Sequence, residues 1–323
     1  MSTTKPAATE REQTPQLESI RDEVLRGLSL PQKELPPKLF YDERGSQLFD
    51  QITELEEYYP TRTELAITRR YVDEMAELIG PGSLLVEYGS GSSIKTRILL
   101  DHLHDLACYM PVDISEAHLH SSAAVLAAAY PHLDIRPVCA DYTAPFELPA
   151  LEPPPQRTVV YFPGSTIGNL HDDEAVQLLR QMAGLIRAGG GLLVGADLQK
   201  DRAVLERAYN DAAGVTAAFN LNILGRLNRE LGATFRLSLF EHRAFYNEAH
   251  HRIEMHLVST QAQTVLVDGV AVHFAAGETI HTECSYKYSL EGFAAMAAAA
   301  GLRVQKVWTD PKAWFSVQYL TLK

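Results

Sequence analysis

The sequence predicts an α/β protein: a seven-stranded sheet, parallel except for an antiparallel last strand, with a second α+β lobe beside it. Three observations predict this. From about Arg62 to Asp197 helical and strand-like segments alternate, as a parallel sheet with crossover helices requires. "LLVEYGSGSSIKTRILL", Leu84 to Leu100, runs from a strand through a glycine turn into a helix. After the last helix come two more strand-like runs, a hairpin that completes a mixed sheet.

The elements follow in order. "TELAITRRYVDEMAELIG" has amphipathic helical spacing, with an N-cap expected at Thr61 or Thr63. "SLLVEYG" reads as a buried strand, and "ACYMPVDIS", "DIRPVCADY", "TVVYFPGS" and "GGLLVGADL" as further strands. "SEAHLHSSAAVLAAAY" and "HDDEAVQLLRQMAGLIRAGG" are helices between them, the second closed by glycines. Beyond Asp197 the grammar changes to two helices, "QKDRAVLERAYND" and "GVTAAFNLNILGRLNRELG". Antiparallel strands follow in "ATFRLSLFEHRAFYN", "HRIEMHLVST", "QTVLV" and "VAVHF". Asp268-Gly269 joins the last pair as a hairpin turn. "SLEGFAAMAAAAGL" is a helix capped by Ser289 and closed by Gly301, and "RVQKVWTD" with "WFSVQYLTL" forms the final hairpin.

Composition narrows the function. The 323 residues, 46% hydrophobic and 22% charged, suffice for one large domain with an insertion or for two domains. A net charge of -12 argues against a nucleic-acid partner, whose phosphates need a basic face. No apolar run approaches membrane-spanning length. Cys108, Cys139 and Cys284 have neither paired nor metal-like spacing, which suits a reducing cytoplasm. The polar start, residues 1-16, is expected to be disordered.

The glycine turn departs from the dinucleotide fingerprint, because Ile94 stands where G-x-G-x-x-G needs its third glycine. Glu87 with Gly89 and Gly91 instead gives E-x-G-x-G, the first motif of methyltransferases. Asp113 ends the second strand, placed to reach ribose hydroxyls, and Asp141-Tyr142 ends the third, offering a polar group and a ring to adenine. Each acid alone could be a loop or capping residue. Together with the C-terminal hairpin they favour S-adenosylmethionine in a Rossmann-like methyltransferase sheet. The run "HHRIEMH", His250 to His256, lacks metal-ligand spacing; as a strand it puts Arg252, Glu254 and His256 on one face, expected to be solvated, and Met255 on the other.

Four further segments, "YDERGSQLFDQITELEEYYPTRTE", "FPGSTIGNL", "RAYNDAAGVTAAFNLNIL" and "HTECSYKY", resemble the histidine-specific N-alpha-methyltransferases of ergothioneine biosynthesis, in order and through nearly the whole chain. The resemblance implies trimethylation of the α-amine of L-histidine to hercynine, with S-adenosylmethionine as donor and no metal, by a cytoplasmic monomer without nucleic-acid or membrane partners. It implies a methyltransferase domain over 61-197 and 287-323 and a substrate lobe over 1-60 and 198-286, with the substrate between them. Gly89, Lys95, Asp113, Asp141 and Tyr142 are the implied cofactor residues. Tyr58, Gly164, Asn169, Tyr209, Met255, Glu283 and Ser285 are the implied histidine residues, with Tyr41 and Phe49 near the reacting amine and Asn169 also counted with these as catalytic. Cys284 falls within the substrate-lining run, where the family chiefly carries an apolar residue, and reads as packing. An alternative within the same class is tryptophan or tyrosine as acceptor, and one outside it is a non-catalytic module that only holds S-adenosylmethionine.

Overall fold

In the computed structural model, which describes residues 20–91, 94–144, 146–187 and 189–323, the apolar runs of the sequence form a seven-stranded sheet. The tail expected to be disordered lies outside these residues. The strands are β1 (Ser83–Tyr88), β2 (Cys108–Asp113), β3 (Val138–Cys139), β4 (Arg157–Phe162), β5 (Gly191–Asp197), β6 (Leu302–Thr309) and β7 (Phe315–Leu322). Their order is β6-β7-β5-β4-β1-β2-β3. β1 pairs in parallel with β2 and β4, and β4 with β5. β7 runs antiparallel to both β5 and β6, as the terminal hairpin predicts.

Every residue of β1 and β5 is buried, the signature of a sheet covered on both faces. Alternation then divides the side chains. Leu84, Val86 and Tyr88 pack with Leu178, Leu179 and Met182 of helix Asp172–Leu185 and with Phe293 of helix Leu290–Ala299. Leu85 faces Ile67, Val72, Met75 and Ile79 of helix Tyr59–Ile79. Each such side chain contributes about 1.5–3 kcal/mol by leaving water, so these two layers fix where the strand ends, and the residues on them, must lie.

The chain divides into two compact units. The larger, Thr53–Ala208, Tyr246–Ile253 and Cys284–Lys323, holds the seven-stranded sheet. The smaller comprises the described residues up to Ile52, Tyr209–Phe245 and Glu254–Glu283. It holds most of a four-stranded sheet, ordered Lys33–Glu34, Thr279–Tyr286, Arg252–Ser259, Phe240–Asn247. It also holds the hairpin Gln263–Val267 and Val270–Phe274, whose turn residues Asp268 and Gly269 both have positive φ, +47° and +77°, the geometry of a type I′ turn. Among the described residues no helix is long and apolar enough to cross a membrane.

Four local expectations change. The strand expected over "DIRPVCADY" shrinks to two residues and one bridge between Tyr109 and Ile135; Pro137 has no N–H to give the edge. "ATFRLSLF" opens as a 3₁₀ turn, Leu237–Leu239, before the strand begins at Phe240. The long helix starts at Tyr59 with Tyr58 as N-cap, not at Thr61 or Thr63, because Pro60 fits the first turn, where no N–H is needed. The face of Arg252, Glu254 and His256 is not solvated: Glu254 and His256 are buried, since their strand is interior and His256 stacks on Phe245 and His281.

Candidate active site

At the carboxyl end of β1 the chain turns on Gly89 and Gly91, whose φ values of +70° and +42° lie in the left-handed region that glycine adopts without strain. Helix Ile94–Leu100 follows, and Ser92 and Ser93 lie outside the described residues. Glu87, buried two residues before the turn, accepts hydrogen bonds from Thr96 Oγ1 at 2.6 and 2.8 Å and from the Tyr109 hydroxyl. It thereby ties β1 to the helix and to β2. Burial pushes its carboxyl up to about 7 against the pull of these donors.

The predicted cofactor residues gather around this turn. The Tyr142 ring packs tilted against Tyr88, centroids 5.3 Å apart, and its hydroxyl lies 3.7 Å from where a side chain at Gly89 would begin. Burial raises the Tyr142 phenol well above its ordinary range, and the nearby Asp113 and Asp141 carboxylates add to this. Asp113 Oδ1 accepts the Ser115 N–H at 2.9 Å and Asp141 Oδ1 the Thr143 N–H at 3.0 Å, so local turns aim both carboxylates. A turn with glycines at both ends, two carboxylates that accept hydrogen bonds at successive strand ends and a ring make a set of groups that fits an adenosyl ligand with hydroxyl groups and a cationic tail.

Lys95 has a partner the sequence did not single out. Buried Glu64, on helix Tyr59–Ile79, pairs with Lys95 Nζ at 2.5 Å and accepts the Gly164 N–H at 3.0 Å with both oxygens. Gly164 (φ +80°) and Ser165 (φ +58°) begin the tight turn that leads to the 3₁₀ segment Thr166–Asn169. Ser165 Oγ also accepts the Asp197 N–H at 2.8 Å. The loop that presents Asn169 is therefore pinned from two sides, and Asn169 itself is half-buried at its end.

Asp197, at the end of β5, is a second hub that sequence spacing does not mark. Its carboxylate accepts from Tyr59 Oη at 2.7 and 3.0 Å, Lys200 Nζ at 2.6 Å and Lys287 Nζ at 2.8 Å. Despite burial its acidity is increased, because two ammoniums hold the anion. Lys287 Nζ donates onward to Ser285 Oγ at 2.7 Å. Cys284, between two pocket candidates, is buried in the apolar cluster with Tyr286, Tyr288 and Phe293, where it packs.

Within the smaller unit Tyr41 and Phe49 are half-buried and meet edge-on at 5.9 Å, and Phe219 packs against both at 6.1 and 5.9 Å. Asp42 fixes this group: its Oδ1 caps helix Glu43–Glu54 through the Gly45 N–H at 2.7 Å and accepts from Asn222 at 2.8 Å. Tyr209 is buried, and its carbonyl accepts from His242 Nε2 at 2.9 Å. Asn220 donates to His242 Nδ1 at 2.9 Å, so the ring is the neutral Nε2–H tautomer, and burial lowers its basicity accordingly. Asn220 also binds the His256 carbonyl at 3.1 Å and the Thr282 hydroxyl at 2.7 Å. Thr282 reaches the Met255 carbonyl at 3.0 Å, so one amide braces the backbone at Met255 and next to Glu283. Tyr58 stands half-buried at the N-cap of its helix in the larger unit.

Glu254, His256 and His281 bring ligand atoms within 4.8 Å of one another. Their contacts are those of a hydrogen-bonded core: His256 Nε2 lies 3.1 Å from Glu254 Oε2, His281 Nε2 lies 3.1 Å from the Glu283 carbonyl, and the two imidazoles stack 25° from parallel. Ring lone pairs lie in the ring planes, so stacked rings do not converge on one ion.

The strand order with antiparallel β7, the glycine turn and the acids on the strand ends define a methyltransferase that uses S-adenosylmethionine. The sequence profile described as "Histidine-specific methyltransferase, SAM-dependent" matches residues 20–322, and the chain belongs to that family. It is 47% identical to the histidine N-alpha-methyltransferase of Mycolicibacterium smegmatis over 93% of this chain and 94% of that one. It is 45% identical to the protein of the same name from Mycobacterium tuberculosis over 90% and 91%. A more distant relative, the 4-dimethylallyltryptophan N-methyltransferase easF of Aspergillus fumigatus, shares 29% over 91% of each chain.

Proposed function

We propose that this protein methylates the α-amine of L-histidine three times with S-adenosylmethionine, giving hercynine. The observation that carries the reading is the family match over residues 20–322, supported by the 47% identity to a relative named for histidine. When bound, S-adenosylmethionine supplies a methyl group on a sulfonium, open to in-line attack by an amine lone pair.

The chain's residues have four tasks. Gly89, Lys95, Asp113, Asp141 and Tyr142 hold the donor, with Glu64 keeping Lys95 in place. Asn169 and Tyr209 hold the amino-acid head; an amide offers both a donor and an acceptor, as a carboxylate and an amine require. Tyr41 and Phe49 present aromatic faces to nitrogen as it becomes a quaternary ammonium, worth roughly 0.5–2 kcal/mol depending on desolvation. The amine must be neutral to react, and a proton leaves through Tyr41 or water. After the third methyl no lone pair remains and the reaction stops by chemistry.

Glu283 and Ser285 read the imidazole, Glu283 accepting a ring N–H, with Tyr58 and Met255 beside it and Gly164 at the head. Their buried polar groups set histidine apart from other side chains: an aliphatic chain offers the Glu283 carboxylate no N–H, at a cost of several kcal/mol, and an indole, which has an N–H but no ring lone pair, offers the Ser285 hydroxyl no acceptor. Glu283→Ala is expected to lower kcat/KM for histidine at least a hundredfold; unchanged turnover and affinity would overturn the assignment. The function proposed is that of a cytoplasmic enzyme.

A further inference from the structure

Glu283 and Ser285 stand two residues apart near the end of strand Thr279–Tyr286, so alternation sends both side chains to one face, and Lys287, just past the strand, reaches Ser285 by a direct hydrogen bond. Lys287 is buried, held at 2.8 Å by Asp197 and bonded at 2.7 Å to Ser285 Oγ. An ammonium has donors only, so this contact uses a lone pair of the serine oxygen and turns the hydroxyl hydrogen away from Lys287.

We propose that Lys287 is a positioning residue that makes Ser285 a hydrogen-bond donor to the substrate ring, so that the site takes the neutral imidazole and rejects the imidazolium. The proposal rests on the reading of Glu283 and Ser285 as the ring's partners. A neutral imidazole has one N–H and one lone pair; Glu283 accepts from the first and Ser285 donates to the second. An imidazolium has two N–H groups and no lone pair. Its second N–H would have to take the remaining lone pair of the serine oxygen, leaving the hydroxyl hydrogen without the ring nitrogen, and its charge would lie close to the Lys287 ammonium in a buried place, which opposes the attraction of the Glu283 carboxylate.

The groups around this contact reinforce the discrimination. Asp197 is the carboxylate held by both Lys287 and Lys200, and the Tyr59 hydroxyl donates to it as well. Burial brings Lys200 down to about 8, with Lys287 contributing, against the opposite pull of Asp197 and, more weakly, of Asp310. The Tyr246 phenol feels the Lys287 charge, and the His251 carbonyl accepts the Lys287 backbone N–H at 2.7 Å. Two ammoniums thus share the Asp197 anion, and one of them is bonded to Ser285.

The test is calorimetric binding of N-alpha-trimethyl-L-histidine, with S-adenosylhomocysteine present, between pH 5.5 and 8. The quaternary nitrogen of this ligand does not titrate, so its imidazole is the one ligand group that changes charge in that range. Wild-type affinity is expected to fall about tenfold per pH unit below the ring's pKa of about 6.5. Lys287→Met, shown folded by circular dichroism, should bind more weakly at pH 8 and lose less than about threefold per unit on the acid side. A wild type without acid weakening, or Lys287→Met with the wild-type slope, overturns the proposal. If Lys287→Met does not fold, Lys287→Gln takes its place: the amide keeps a donor but drops the charge, and must still flatten the slope. Ser285→Ala separates the two levels. Unchanged affinity in that variant sinks the ring assignment itself, whereas weakened affinity with an unaltered slope in the Lys287 variants sinks the role of Lys287 alone.

Discussion

Replacing Glu87 by glutamine tests the physical description of the cofactor turn. The carboxyl is raised from its ordinary 4.5 to about 7, chiefly by burial, which corresponds to about 3 kcal/mol of free energy disfavouring the anion in the fold. A group whose pKa is raised by folding gives its full stabilisation below the unfolded value and loses it as pH climbs through the folded value. Wild type should therefore be most favoured by Glu87 near pH 4.5 and have lost most of that contribution by pH 8.5. Glutamine cannot ionise, while its amide can still meet the hydroxyls of Thr96 and Tyr109. In urea unfolding followed by circular dichroism, the stability of Glu87→Gln relative to wild type should therefore rise by about 2–3 kcal/mol between pH 5.5 and 8.5. A difference between the two proteins that stays flat over that range would refute the reasoning, because the carboxyl would then ionise as easily in the fold as in water.

Other substitutions address the remaining parts of the site. Phe49→Ala should lower kcat/KM about 2- to 30-fold, as loss of one cation–π face implies. The monomethyl and dimethyl products should then accumulate in the mass spectrum; an unaltered product distribution removes the aromatic wall. Asn169→Ala should cost about 10- to 100-fold in kcat/KM for histidine, through KM and kcat together, with the affinity for S-adenosylhomocysteine retained in calorimetry. Glu64→Ala strips a buried anion from Lys95 and the Gly164 N–H. It should destabilise the fold by about 2–4 kcal/mol in denaturant titration and weaken S-adenosylhomocysteine binding several-fold, the lower end reflecting the partial exposure of Lys95.

The sheet was legible because its strands are short apolar runs bounded by glycines, and because the hairpin after helix Leu290–Ala299 leaves one place for an antiparallel strand. Boundaries failed where a proline decided them: Pro137 cut the edge strand short and Pro60 let the long helix begin early. At the strand ends, glycines and acids are spaced along the chain by the alternation of strand and helix, so the sequence could propose Gly89, Asp113 and Asp141 together. Their supports could not. Glu64 and Gly164 are 100 residues apart, as are few pairs that sequence spacing can join. Lys287 lies in view, two residues past Ser285 in "HTECSYKY", yet its role depends on Asp197, which arrives from another strand. The polarity of "HHRIEMH" misled for a related reason: period-two alternation says which residues share a face but not what covers it, and here Phe245 and His281 do.

The most direct test is product mass. The purified protein is incubated with S-adenosylmethionine and each amino acid in turn, and the products are weighed. Three methyl additions to L-histidine, with none to tryptophan or tyrosine under the same conditions, is the result expected from a carboxylate at Glu283 and an amine site that stops at the quaternary nitrogen. No addition to histidine, or faster methylation of tryptophan, would contradict it.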